Sequence, residues 1–148
     1  MIKLLHGDCL ERMKEIPDGS VDMVLCDLPY GTTACKWDSA IPFEPLWKHY
    51  KRIIKPNSAV VLFGVQPFTS ALVMSNPKLF KYDWIWRRTN KVGFLNAKKM
   101  PLKNVENISV FYKNQPTYNP QNLKVFNNSL DSDKIALYNN ELPKLIKV

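Results

Sequence analysis

Two short apolar runs, Val21-Asp22-Met23-Val24-Leu25-Cys26 and Ser58-Ala59-Val60-Val61-Leu62-Phe63, stand on either side of a segment with helical period, and this order constrains the fold more than any other feature. Between them, Phe43, Leu46, Trp47, Tyr50, Ile53 and Ile54 recur at i, i+3, i+4, i+7, i+10 and i+11, the stripe of a helix laid on a core over residues 43–55. Pro56 ends that helix. A strand, a helix and a strand in that order predict parallel neighbours with a right-handed crossover. The same pattern begins earlier. Residues 2–6 read as a strand ending at Gly7-Asp8, and Leu10, Met13 and Ile16 keep helical spacing up to Pro17-Asp18-Gly19, so the first two strands are expected to lie parallel. Pro67 suits the first turn of a further helix over residues 66–76 that packs Phe68, Leu72 and Val73.

The second half reads differently. Residues 82–87 and 108–113 are aromatic and β-branched, with no helical pattern between them, so an antiparallel pair is expected, with residues 89–105 as a long insertion. Beyond Lys113 the composition turns to Asn, Gln and Pro and periodicity ends. The expected organisation is a structured portion over residues 1–113 and a loop-rich segment over residues 114–148, with a short strand or helix around residues 134–138.

The longest apolar runs are far too short to span a bilayer, and His6, Gly7 and Asp8 interrupt the N-terminal one, so neither a membrane span nor a secretory leader is expected and the predicted location is cytoplasmic. Cys9, Cys26 and Cys35 include no C-x-x-C pair and have no histidine at zinc spacing; they are expected to be free thiols, with no metal site. The net charge of +8 favours a polyanionic partner. Between Lys78 and Lys113 the acids are only Asp83 and Glu106, whereas Arg87, Arg88, Lys98, Lys99 and Lys103 alternate with Trp84, Trp86 and Phe94. Cations interleaved with aromatics are the composition of a surface that holds phosphates and stacks bases.

The run from Val21 breaks at Asp27-Leu28-Pro29-Tyr30, which places an acid, a stiffened turn and an aromatic at a strand's carboxyl end, where open α/β sheets bind ligands. Asp-Leu-Pro-Tyr resembles the Asp-Pro-Pro-Tyr signature of the DNA amino-methyltransferases. The order of Gly7-Asp8, Asp27-Leu28-Pro29-Tyr30, the amphipathic helix, Val60-Val61-Leu62-Phe63-Gly64, Trp84-Ile85-Trp86 and the strand ending at Lys113 is similar to that of the β-class, adenine-specific enzymes. The stretch from Gly93 through Phe94, Lys98 and Lys99 to Lys103 is similar to their phage or prophage branch, and the resemblance covers residues 1–122.

The resemblance implies a Rossmann-like S-adenosylmethionine-dependent fold, permuted and incomplete, with an antiparallel strand pair at one edge. It implies methyl transfer from S-adenosylmethionine to the amino group of a flipped adenine in double-stranded DNA, as in restriction-modification systems. Asp27 and the Leu28 carbonyl would each accept one amino hydrogen, Pro29 would fix the turn and Tyr30 would clamp the base, with Phe94 as a second clamp candidate. Asp8 and Cys9 would lie at the cofactor, residues 1–113 would be the catalytic, target-base portion, and residues 114–148 would begin a target-recognition region. Leu28 replaces the usual proline, and Val105-Glu106 replaces the usual His-Glu.

The family's Phe-x-Gly-x-Gly cofactor turn is absent: the glycines are Gly7, Gly19, Gly31, Gly64 and Gly93. A truncated form is therefore expected, poor at holding the methyl donor alone, with a complementing chain or self-association covering the gap. Cytosine-N4 methylation, whose enzymes more often open the motif with Ser, is the alternative within the class. An inactive nucleic-acid-binding remnant or half of a split enzyme is the alternative outside it.

Overall fold

The computed structural model describes residues 2–119. The chain divides after Thr117 into two units, and of the second only residues 118 and 119 are described, both exposed. The expected strand or helix around residues 134–138, and nearly all of the 114–148 segment, lie outside the described residues.

Four strands form one sheet: β1 (Val21–Asp27), β2 (Ile54–Gly64), β3 (Phe80–Val92) and β4 (Lys103–Phe111), in the order β1-β2-β4-β3. β1 and β2 run parallel, with Asp27 level with Phe63, and the crossover between them carries α2 (Phe43–Ile53). β4 then returns antiparallel to β2, and β3 pairs antiparallel with β4. This mixed sheet, with one parallel pair and an antiparallel pair at the far edge, agrees with the expected α/β class.

One face of the sheet holds the core. Leu46, Trp47, Tyr50 and Ile53 of α2 are buried with Val60, Leu62 and Phe111 of the sheet and with Phe68 and Leu72 of α3 (Phe68–Ser75). Side chains alternate between faces along a strand. Val24 and Cys26 accordingly pack on this core, while Met23 and Leu25 point to the other side and are more than half exposed. Below α2, the short helix α1 (Cys9–Arg12) continues into a 3-10 turn over Met13–Glu15, and buried Met13 joins the core. Arg52 fastens this unit to α2 by donating to the Met13 carbonyl at 2.6 Å and the Ile16 carbonyl at 2.8 Å.

Four expectations need correction. Residues 2–6 form no strand, and Ile2 and Leu4 are each 90% exposed. An apolar run becomes a strand only where a neighbour takes its backbone hydrogen bonds, and no described strand pairs with it, so β1 and β2 are the first parallel pair. The central helix stops at Ile53 because Pro56 biases Lys55 to extended backbone, and Ile54 already pairs with Val21. The helix expected over residues 66–76 begins at Phe68, with Pro67 as its N-cap. The insertion expected over residues 89–105 is mostly strand: β3 runs on to Val92 and β4 starts at Lys103, which leaves only ten residues between them.

Candidate active site

β1 delivers its last residue, Asp27, to the carboxyl end of the parallel pair, and the chain turns there through Leu28-Pro29-Tyr30. Leu28 is 5% exposed and anchors the turn in the core, while Asp27 stays exposed. The Tyr30 hydroxyl donates to Asp27 Oδ1, and Oδ2 takes no hydrogen bond from another described residue. Behind Tyr30, the Phe68 ring packs with centroids 5.0 Å apart, and Phe43 backs Phe68 at 5.6 Å. The tyrosine thus has a fixed ring. Burial raises its phenol pKa above the ordinary value, and the Asp27 carboxylate pushes it the same way, so at neutral pH Tyr30 is a donor.

The loop beyond Tyr30 closes over the turn because of one carboxylate. Asp38 accepts from the amides of Gly31 at 2.9 Å, Thr32 at 2.9 Å and Thr33 at 2.6 Å. Only 8% exposed, it spans a loop with no secondary structure of its own. Gly31 permits the closure with a φ of 68°. Hydrogen bonds from the Thr33 side chain and the three amides stabilise the ionised form and lower the Asp38 pKa to about 2. Residues 31–40 carry no sustained hydrophobic period, so sequence reasoning missed Asp38. The available signal was a lone acid following Gly-Thr-Thr, side chains too small to shield their own amides.

Asp27, Leu28, Pro29, Tyr30, Thr32, Thr33, Trp37 and Asp38 line a cleft of about 370 Å³. Trp37, also missed from the sequence, is 75% exposed and presents a second aromatic face to the cleft. The lining combines two flat rings with a carboxylate that has an open oxygen, which suits a planar ligand carrying a hydrogen-bond donor. Phe94 does not line it.

The remaining predicted site residues separate into three places. Arg88 pairs with Glu106, which is 5% exposed, and its guanidinium lies 5.5 Å from the Trp86 ring centroid. A buried carboxylate needs such a partner, so Arg88 is committed to the fold at the sheet end that also carries Asp27. Arg87, Lys98, Lys99 and Lys103 are exposed and make no ion pair with another described residue. Asp8 caps α1, accepting from the Leu10 amide at 2.8 Å and the Glu11 amide at 3.4 Å, and Cys9 is exposed.

A methyl donor such as S-adenosylmethionine needs backbone that approaches it closely, usually a glycine turn. Each of the five glycines stands alone, and the Asp8 carboxylate is turned onto its own helix. The described residues therefore do not assemble a cradle for that group. Among the described residues no cluster of His, Cys, Asp and Glu has metal-site geometry, and no helix is long and apolar enough to cross a membrane.

Known proteins share this architecture. No family model matches the chain. Among curated proteins it is similar to the Type II methyltransferase M.HinfI of Haemophilus influenzae, 28% identical over 115 residues, covering 60% of this chain and 32% of that protein. It is also similar to the Type II methyltransferase M.BamHI of Bacillus amyloliquefaciens, 27% identical over 95 residues, covering 56% of this chain and 22% of that protein. The chain thus spans a third or less of these relatives. Among solved structures, the M1.HpyAVI complex with SAM superposes with a TM-score of 0.62 at 20% identity, covering 84% of this chain and 64% of that one. The cytosine-N4-specific PvuII DNA methyltransferase superposes with a TM-score of 0.59 at 15% identity, covering 88% and 59%. The chain is homologous to Type II DNA methyltransferases, and its fold is part of theirs.

Proposed function

We propose that this chain is the base-handling portion of a DNA amino-methyltransferase, which receives a flipped base in the Asp27–Tyr30 cleft and aims its exocyclic amino group. The observation that carries this reading is the Asp27 carboxylate, open at Oδ2, beside a Tyr30 ring braced by Phe68. An exocyclic amino nitrogen is a poor nucleophile because its lone pair is delocalised into the ring. Hydrogen bonds from its two hydrogens to Asp27 and to the Leu28 carbonyl draw it toward a tetrahedral geometry and expose the lone pair. Leucine serves as well as proline for this purpose because the acceptor is backbone.

Tyr30 and Trp37 supply the faces on which the base stacks, each worth about 1–3 kcal/mol, which offsets part of the cost of taking the base out of the duplex. Arg87, Lys98, Lys99 and Lys103 hold DNA phosphates. Adenine is the preferred base, because an acid opens the motif where the cytosine-N4 branch more often has Ser; the likeness to a cytosine-N4-specific enzyme keeps cytosine as the alternative. A second reading, in which these residues bind nucleic acid without transferring methyl groups, is favoured by the isolated glycines and by the self-capping Asp8.

The test uses single-stranded oligothymidine carrying one central adenine or one central cytosine, which removes the flipping cost, with the tryptophan fluorescence of the chain as readout. Adenine in the cleft should quench the Trp37 component, and Trp37→Phe should abolish that change. Quenching that is equal for plain oligothymidine, or that survives Trp37→Phe unchanged, overturns the base-pocket assignment.

A further inference from the structure

β3 and β4 do not stop where the sheet does. Gly64, the last residue of β2, is level with Asn107, and β4 reaches back a further four residues to Lys103, roughly 14 Å at the rise of a strand. β3 runs alongside to Val92, with an irregular register between Arg87 and Val92. The pair is therefore an arm. It leaves the sheet at the end that carries Asp27, because Asp27 is level with Phe63, and Phe63 with Ile108. The base of the arm is fastened there by the Arg88 and Glu106 pair and by Trp86 packed edge-on against Phe63 at 5.8 Å.

The tip is a hydrogen-bonded turn that exposes apolar side chains. Gly93, at a φ of 91°, turns the chain into a 3-10 helix over Phe94–Asn96. The Asn96 carbonyl then accepts from Lys99 at 2.8 Å and Met100 at 2.9 Å, which folds the tip back on itself. Phe94 is 75% exposed, Leu95 84% and Met100 51%. Exposed Lys91, Lys98, Lys99 and Lys103 flank them in the chain, and residues 84–105 contain no acid. Apolar side chains carried on a projecting arm beside cations that no local acid offsets match a polyanion with an apolar interior that can be parted. Duplex DNA is that polyanion: apolar wedges enter its base stack while cations hold its phosphates.

We propose that the tip of the arm is a DNA wedge, in which Phe94 and Leu95 insert into the base stack and occupy the space that a flipped base vacates, while Lys98 and Lys99 hold the flanking phosphates. The inference rests on the reading of the cleft as a base pocket and deepens it: the cleft receives the base and the arm keeps its place from closing. Phe94 thereby has a role distinct from the second base clamp expected from the sequence.

The probes are two duplexes of the same sequence, one intact and one with a central abasic site, where the space already exists and the cost of unstacking is reduced. The 148-residue chain should bind the abasic duplex at least about tenfold more tightly. The double variant Phe94→Ala, Leu95→Ala should lose that preference while keeping its salt dependence, which the lysines set. Both side chains are exposed, so neither change removes a core contact. Lys98→Ala with Lys99→Ala should weaken both complexes and flatten the salt dependence.

Salt-dependent binding with an abasic preference that ignores Phe94 and Leu95 overturns the wedge and leaves the cleft reading standing. Absence of binding to either duplex overturns the wedge and the DNA reading together. Tighter binding to phosphatidylserine vesicles than to either duplex, lost with Phe94 and Leu95, assigns the tip to a membrane surface instead.

Discussion

In the free chain Asp27 accepts the Tyr30 hydroxyl through one oxygen and keeps the other open. A donor arriving in the cleft therefore finds a carboxylate already oriented by its neighbour. Tyr30→Phe removes that orientation but leaves the ring and the charge, so base affinity should fall only a few-fold; Tyr30→Ala removes the stacking face and should cost about 1–3 kcal/mol of binding. Titration with a single-stranded adenine oligonucleotide separates the two. Asp38 predicts a pH dependence. Its folded pKa, about 2, lies below the unfolded value of 3.8, so the loop is held fully above the unfolded value and released as the pH falls through about 2. Hydrogen exchange of the Gly31, Thr32 and Thr33 amides should show local opening across that window in the wild type, whereas Asp38→Asn should leave the loop open at neutral pH. At this scale the positions of Asp27 and Tyr30, at a strand end that lines a cleft, were legible, because an apolar run that breaks at an acid and a proline marks the end of a strand. It was opaque at Asp38 and Trp37, because a loop closed by a side chain carries no period.

α2 was the most legible element, since its buried residues Leu46, Trp47, Tyr50 and Ile53 are the stripe that the spacing marks. Leu46 is fully buried, and Leu46→Ala should cost about 2–5 kcal/mol in urea denaturation, with unfolding still cooperative. A change below about 1 kcal/mol would contradict the placement of the core. The N-terminal run misled for the opposite reason: local pattern marks a strand, but only a neighbour makes one, and residues 2–6 have none among the described strands. The arm was half legible. Its strands are aromatic and β-branched, but their length depends on pairing across a register irregularity that no local composition reports. Gly64 marks a further element contact, since a Cβ there would meet Thr69 Oγ1 at 2.7 Å. Gly64→Ala should therefore displace the first turn of α3, and with it Phe68 from behind Tyr30, which lowers both melting temperature and base affinity.

At the scale of the whole molecule, the described residues form a cleft at Asp27–Tyr30 without a recognisable cradle for a methyl donor. Calorimetric titration of the 148-residue chain with S-adenosylmethionine should show no micromolar binding, and labelled donor should place no methyl group in DNA. Micromolar binding with transfer would mean that the donor is held by residues not identified above. The donor is not needed to test what the cleft does. Adenosine offers two amino hydrogens to Asp27 and the Leu28 carbonyl, and N6,N6-dimethyladenosine offers the same ring with neither. The decisive measurement is an NMR titration of the chain with both, following the amides of Gly31, Thr32 and Thr33 and the Trp37 indole. Adenosine should shift these signals in a saturable way, and both the dimethyl compound and adenosine added to Asp27→Ala should bind at least about tenfold more weakly, the scale of two lost hydrogen bonds to polar or charged acceptors. Equal affinity for the two nucleosides, or shifts confined to residues outside the cleft, would contradict the account.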